Sequence, residues 1–346
     1  NSKKTGLTSV LTSISWEHKD MLRDNYFPKE YELPRAFDLI NTSVLMEYKF
    51  SVFNKLDLNC TRVSSSMLSL LDFIDLDDSN PTMLRAGNPN LKLPVTSSLE
   101  LTGTFIKGAS TYEFRVGYDT EEKVIVEKSR YFTEDTYLPE YDYTASAGST
   151  LITKENRNGG RRLIIGGNYG VRSGKLQSNI KLGLNYIYGR TPAYVAEQPV
   201  MITDNSYRVS LSIMGNFSSV FMPTLSSNTS YSDRDNGSVR IETFSQTLGL
   251  NVRLRIARSV ELNNVNDFRW NIQWPDVPGM DRFGIVSNLS LGYLFGESRN
   301  FSLKVEVNDL FNKKQRVFVR TYDEYISASY INSLGRYAML RAEWKF

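Results

Sequence analysis

Tyr337-Ala338-Met339-Leu340-Arg341-Ala342-Glu343-Trp344-Lys345-Phe346 closes the chain, and its alternation decides the fold class. Successive side chains of an extended segment point to opposite sides, so Ala338, Leu340, Ala342, Trp344 and Phe346 share one face. Met339, Arg341, Glu343 and Lys345 share the other. One face suits hydrocarbon and the other water.

The same period recurs upstream. Leu176, Ile180, Leu182, Leu184, Tyr186 and Tyr188 oppose Lys175, Gln177, Asn179, Lys181 and Asn185. Phe301, Leu303, Val305 and Val307 oppose Ser302, Lys304, Glu306 and Asn308, and Leu248, Leu250, Val252, Leu254 and Ile256 oppose Asn251, Arg253 and Arg255. This template predicts about fourteen strands, most of them near the ~9–11 residues that a tilted strand needs to cross a bilayer.

Connection lengths add a second signal. Short turns are expected at Ser51–Asn54, Lys107–Ser110, Arg172–Gly174, Phe217–Ser219, Ala257–Ser259 and Gly296–Asn300. They alternate with long loops at 19–37, 65–96, 119–160, 189–205, 233–240, 273–283 and 313–335. Strict alternation puts every short turn on one side, the asymmetry of outer-membrane barrels with tight periplasmic turns and long extracellular loops. Tyr186 and Tyr188, and again Trp344 and Phe346, close outward faces where aromatic girdles are expected. The expected fold is all-β, a transmembrane antiparallel up-and-down barrel occupying residues 1–346 as one domain.

Composition agrees with this. The 346 residues carry a net charge of +3, too small to suggest a nucleic-acid partner. Mean hydropathy is −0.35 and no run of 18 apolar residues occurs, so no helix can span a membrane. Barrel strands average to such values because lipid-facing and water-facing residues alternate. Cys60 is the one cysteine, which rules out an intramolecular disulfide. The start, Asn1 to Lys4 and the polar Leu7–Ser13 that follows, lacks a signal h-region, so the sequence is expected to begin after any targeting segment.

Three segments carry a resemblance. Gly87-Asn88-Pro89-Asn90-Leu91-Lys92, followed by the strand beginning at Ser98, resembles the loop-to-strand signature of TonB-dependent outer-membrane receptors, with Leu93-Pro94 in place of the usual Pro-Glu. Asn308-Asp309-Leu310-Phe311-Asn312 is similar to a segment near the end of such barrels. Tyr337, Leu340, Trp344 and Phe346 mark a strand that looks like the terminal signal read by the barrel-assembly machinery. The resemblance implies the C-terminal barrel portion of a TonB-dependent transporter in the outer membrane of a Gram-negative bacterium. It also implies lipid bilayer and lipopolysaccharide around the barrel, TonB as the energising partner and a surface lipoprotein as a further one. Members of that family have 22 strands and a plug domain, and neither the plug nor the early strands fall within this sequence. The chain is therefore expected to be either a fragment or a smaller relative closed on its own strands.

Little in the sequence points to catalysis, and the chain is expected not to be an enzyme and to need no cofactor. Histidine-based proton transfer near neutral pH could use only His18, which reads as an interfacial aromatic on the face of Val10, Ile14 and Trp16. Asp72, Asp75, Asp77 and Asp78 form the densest carboxylate cluster, but lack the Gly and distal Glu of a calcium loop and read as solvated. Gly166-Gly167-Asn168-Tyr169-Gly170 lies inside a strand pattern, so it reads as close backbone approach. Arg161, Arg162, Arg253 and Arg255 read as a solvated water-facing side. Three functions follow: uptake of a metal chelate, haem, glycan or peptide; a passive porin or structural barrel of about fourteen strands; and a soluble β-rich binding or adhesion protein.

Overall fold

The computed structural model describes residues 7–25, 31–65, 70–73, 75–195, 197–257, 259–276, 280–296, 300–313, 317–321, 326–330 and 334–344. The strands are β1 (Leu7–Asn25), β2 (Tyr31–Lys49), β3 (Lys55–Ser64), β4 (Leu76–Asp77), β5 (Met83–Ala86), β6 (Val95–Lys107) and β7 (Ser110–Glu122). There follow β8 (Val124–Tyr131), β9 (Thr136–Leu138), β10 (Tyr143–Ala145), β11 (Thr150–Arg157), β12 (Gly160–Ser173), β13 (Ser178–Val195) and β14 (Gln198–Gly215). The rest are β15 (Phe221–Asp235), β16 (Arg240–Ala257), β17 (Val260–Trp274), β18 (Phe283–Phe295), β19 (Phe301–Asn308), β20 (Val317–Thr321), β21 (Ile326–Tyr330) and β22 (Tyr337–Trp344).

Fourteen of these form one sheet in the order β1-β2-β3-β6-β7-β12-β13-β14-β15-β16-β17-β18-β19-β22, every neighbour antiparallel. Chain order equals spatial order because each strand returns beside its predecessor, the up-and-down arrangement expected from the turns. No pairing between β1 and β22 occurs among the described residues.

Register carries one face across the whole sheet. Phe114 lies opposite Gly167, Gly167 opposite Leu184, Leu184 opposite Val209 and Val209 opposite Thr229. Farther on, Leu225 faces Leu250, Leu291 faces Val305 and Val305 faces Leu340. These apolar side chains meet no second layer: Leu184 is 54% exposed and Leu340 68%. The other face is laced with ion pairs. Arg115 meets Glu100 at 2.5 Å, Arg162 meets Asp119 at 2.6 Å, Arg253 meets Glu261 at 2.7 Å and Lys304 meets Glu306 at 2.7 Å. Total exposed area is 22468 Å², against roughly 14,000 Å² for a compact monomer of 39.5 kDa. A single layer wet on one side and apolar on the other accounts for the excess.

The long connections differ from expectation. β1 and β2 run through the expected loop at 19–37 as far as Asn25 and Tyr31, and β13 and β14 run through 189–205 to Val195 and Gln198. Ladder hydrogen bonds continue past the span that a bilayer requires, because the alternation there persists in polar form. The expected loops 65–96 and 119–160 fold on each other as a second sheet, β4-β5-β11-β8, with the β9–β10 hairpin beside it. Its β5–β11 pair is parallel, with Thr150 opposite Met83 and Leu151 opposite Leu84. Leu84, Ala86, Phe132, Leu138, Ala145 and Leu151 form its core. Burying these six drives the two connections together, an association between distant segments that period-two reading within each one does not expose. The connection at 313–335 likewise carries a hairpin, β20–β21.

Candidate functional site

The polar face and the small sheet over one end of it make up the candidate site. Three attachments seat this cap. The first is a short 3₁₀ turn, Leu70–Phe73, whose Phe73 stacks on Phe37 at 6.0 Å with the Arg35 guanidinium 5.8 Å from its ring. Phe37 and Arg35 share the parity of Glu47, so the cap sits on the polar side of β2. Met21, Leu91, Leu93 and Ile125 complete this apolar anchor.

The second attachment is the segment Gly87–Lys92. The Asn88 backbone N–H donates to the Asp72 carbonyl at 2.8 Å, and its side-chain amide donates to the Lys154 carbonyl at 2.8 Å. Asn88 Oδ1 accepts from the Asn90 N–H at 2.9 Å, which fixes the turn through Pro89. The Lys92 N–H donates to Asn156 Oδ1 at 2.7 Å, and Asn156 Nδ2 donates back to the Lys92 carbonyl at 2.8 Å and to the Lys123 carbonyl at 2.7 Å. Lys154 Nζ meets the buried Asp72 carboxylate at 2.7 Å. The segment therefore ties the Leu70–Phe73 turn to β11, and Leu91 is 4% exposed. The third attachment is to β13 and the turn that follows it: Lys128 and Arg157 both approach the Tyr194 ring, at 5.5 and 5.4 Å, and Arg130 meets Glu197 at 3.8 Å.

At the other end of the polar face a concavity of about 760 Å³ opens between β7 and β15, lined by Glu113, Asn168, Lys181, Ser210, Ser212 and Asn228. Asn168 Nδ2 donates to Glu113 Oε2 at 3.2 Å. Gly183 forms its floor: a Cβ there would lie 2.5 Å from Ser210 Oγ and 2.9 Å from Asn168 Oδ1. Such a lining of hydroxyls, amides and paired charges can hydrogen-bond a hydrated or polar solute in either sense. The sequence reading missed this concavity, although its signal is present in the polar parity of Ser206, Ser210 and Ser212 against Ser226, Asn228 and Ser230.

The other predicted residues lie elsewhere. Asn308 ends β19, and Asp309-Leu310-Phe311-Asn312 is a turn with Asp309 at φ 49° and Asn312 at φ 53°. The Asp309 N–H donates to Asn288 Oδ1 at 2.9 Å and the Leu310 N–H to the Ser287 carbonyl at 2.8 Å, so the turn is bound to β18. Tyr337, Leu340 and Trp344 lie on β22, with Trp344 5.8 Å from the Phe301 ring; Phe346 lies outside the described residues. The aspartates disperse: Asp72 pairs with Lys154, while Asp77 accepts hydrogen bonds from the Ser79 hydroxyl and, at 3.1 Å, from the Ser79 N–H, which together lower the Asp77 pKa. Among the described residues no cluster of His, Cys, Asp and Glu has a metal-binding arrangement.

His18 is more than an interfacial aromatic. Its Nδ1 lies 2.9 Å from Asp38 Oδ1 and its Nε2 3.1 Å from Asp20 Oδ1, and the Trp16 indole donates to the same Asp38 oxygen at 3.1 Å.

The chain matches no protein-family profile and no curated protein. Among solved structures it aligns with OmpT, an outer membrane protein of Vibrio cholerae, at 9% identity over 98% of this chain and 97% of that one, with a TM-score of 0.34. A FadL homologue of Pseudomonas aeruginosa aligns at 9% identity over 97% of this chain and 87% of that one, TM-score 0.34. An OmpT variant lacking loop L8 aligns at 9% identity over 98% and 99%, TM-score 0.30. All three are distant likenesses and none is a TonB-dependent receptor. The expectation that the chain is not an enzyme is corrected. OmpT aligns at only 9% identity and a TM-score of 0.34, so enzyme status is not established in either direction.

Proposed function

We propose that this chain is a wall of an outer-membrane β-barrel in a Gram-negative bacterium and that it passes a polar nutrient inward with energy supplied through TonB. The observation that carries the membrane reading is the division of the fourteen-stranded sheet into an apolar face without a covering layer and an ion-paired face under a folded cap. An uncovered apolar face of this width is stable only against hydrocarbon; in water it is an aggregation surface, which argues against the soluble binding or adhesion reading. On this reading lipid and lipopolysaccharide surround the apolar face, β22 presents the assembly signal, and a surface lipoprotein is a further partner. TonB coupling rests on the motif resemblance, and the cap adds an ordered gate that cargo must pass.

One observation favours a second reading, a passive or structural barrel. Fourteen antiparallel strands leave β1 and β22 running in opposite directions, so an even-numbered sheet of this order can close on itself. Reconstitution into planar bilayers separates the two. Steady conductance without any partner supports the passive barrel. A silent bilayer, together with nutrient uptake by cells that stops when the proton gradient is collapsed, supports the coupled transporter. Gradient-independent uptake overturns it.

A further inference from the structure

On the apolar side, near the tips of β15, β16 and β17, a concavity of about 570 Å³ is lined by Tyr231, Phe244, Trp274 and Pro275 with Arg240 and Glu242 at its rim. Register explains the grouping. Tyr231 lies opposite Phe244 and Glu242 opposite Trp274, so the three rings and the carboxylate occupy adjacent rows of one face. Phe244 is steadied from the side by Trp270, edge to face at 6.2 Å, and Trp274 remains 47% exposed. The rim is charged but unbalanced. Arg240 is held bidentately by Asp233, at 2.7 and 3.0 Å, and also reaches Glu242 at 3.3 Å. Two carboxylates against one guanidinium leave a net negative charge beside three aromatic rings.

We infer that this concavity takes an organic ammonium group. Aromatic faces attract a cation through their quadrupole, and best a weakly hydrated one that can shed water into an apolar pocket. A compact inorganic cation would forfeit hydration that the rings cannot replace, and an anion would meet the surplus carboxylate. Arg240 is shared between Asp233 and Glu242, and Glu242 also takes a hydrogen bond from Tyr231, so the surplus negative charge of the two carboxylates lies beside the rings as the counter-charge. Since the pocket opens at the upper edge of the apolar face, the ammonium has two sources, the headgroup of a membrane lipid or a free solute. The inference stands apart from transport and does not depend on TonB.

Choline chloride titrated into the full chain in detergent, with the Trp274 indole N–H resonance as the readout and its assignment made by its loss in Trp274→Phe, tests the site. The expected result is a saturable shift that sodium chloride at equal ionic strength does not reproduce. Glu242→Gln should weaken it about tenfold, as loss of a charge-assisted contact does. Phe244→Leu serves as a second variant should Glu242→Gln fold poorly, and Glu261→Gln on the opposite face should leave affinity unchanged. Nanodiscs with and without phosphatidylethanolamine in phosphatidylglycerol distinguish the sources. A shift with the ethanolamine lipid supports a lipid headgroup, and a shift with choline alone supports a soluble ligand. No saturable shift with either, or equal affinity in wild type and in both pocket variants, overturns the inference.

Discussion

Leu184→Arg is the substitution that most directly probes which face meets lipid. Leu184 lies six positions above Ser178 at the start of β13. At about 3.3 Å per residue and a tilt of about 40°, it stands roughly 15 Å above the turn, near the middle of the apolar band. Its neighbours across the ladders are Gly167 and Val209, and it is 54% exposed, so an arginine there breaks little packing and meets the surroundings directly. In hydrocarbon this should cost about 2–4 kcal/mol, which is roughly 30- to 800-fold in the folding equilibrium. In water the same exposed replacement should stay within about 0.5 kcal/mol. Lys181→Leu, on the opposite face of the same strand, is the control and should be mild in lipid. Urea-dependent folding into phospholipid vesicles measures both, with tryptophan emission as the probe. Equal tolerance of the two substitutions would refute the facing assigned to the whole sheet, since register transmits that facing from β13 to every other strand.

Other consequences are equally open to measurement. Asn156→Ala removes one acceptor and two donors between β11 and the Lys92 and Lys123 backbones, so the cap should open more readily by about 1–3 kcal/mol. Hydrogen exchange at residues 87–93 reads this, and unchanged protection would count against the Gly87–Lys92 attachment of the cap. Gly183→Leu must displace Ser210 Oγ and Asn168 Oδ1 and should destabilise by about 1–3 kcal/mol, with Ser210→Gly partly restoring stability in the double variant; a neutral single substitution would show the wall to be looser than described. Asp77, held below its ordinary pKa by hydrogen bonds from Ser79, contributes stability that is present above the ordinary aspartate range and is lost as pH falls through the lowered value. Exchange protection at residues 76–79 should accordingly persist at neutral pH and fade only in acid, and Asp77→Asn should abolish that pH dependence.

Much of the sheet is legible from local pattern. Tyr337–Trp344 and Ser178–Val195 alternate because a strand between oil and water must, and the hairpins at Lys107–Ser110 and Ser51–Asn54 fall where the alternation breaks for a few residues. The period is set by neighbours in sequence, so reading it needs no knowledge of what packs where. The cap is different. Met83–Ala86 and Thr150–Arg157 are short; β11 pairs antiparallel with β8 and β5 with β4 within their own connections, and the parallel β5–β11 pair then joins the two connections. For the same reason the Gly87–Lys92 segment could be recognised as a re-entry to β6, but its bonds to Asp72, Lys154 and Asn156 could not be read from it. The Ser210 and Asn168 wall over Gly183 likewise comes from three different strands.

What the sequence determined alone is therefore the up-and-down order, the two solvents its faces require and the side on which the turns are tight, because each follows from residues within one strand or one hairpin. Tertiary structure decided how the long connections close over the polar face, where His18 finds its two carboxylates and which rings gather beside Glu242. Each of those depends on contacts between segments distant along the chain, whose partner is chosen by packing and charge rather than by period.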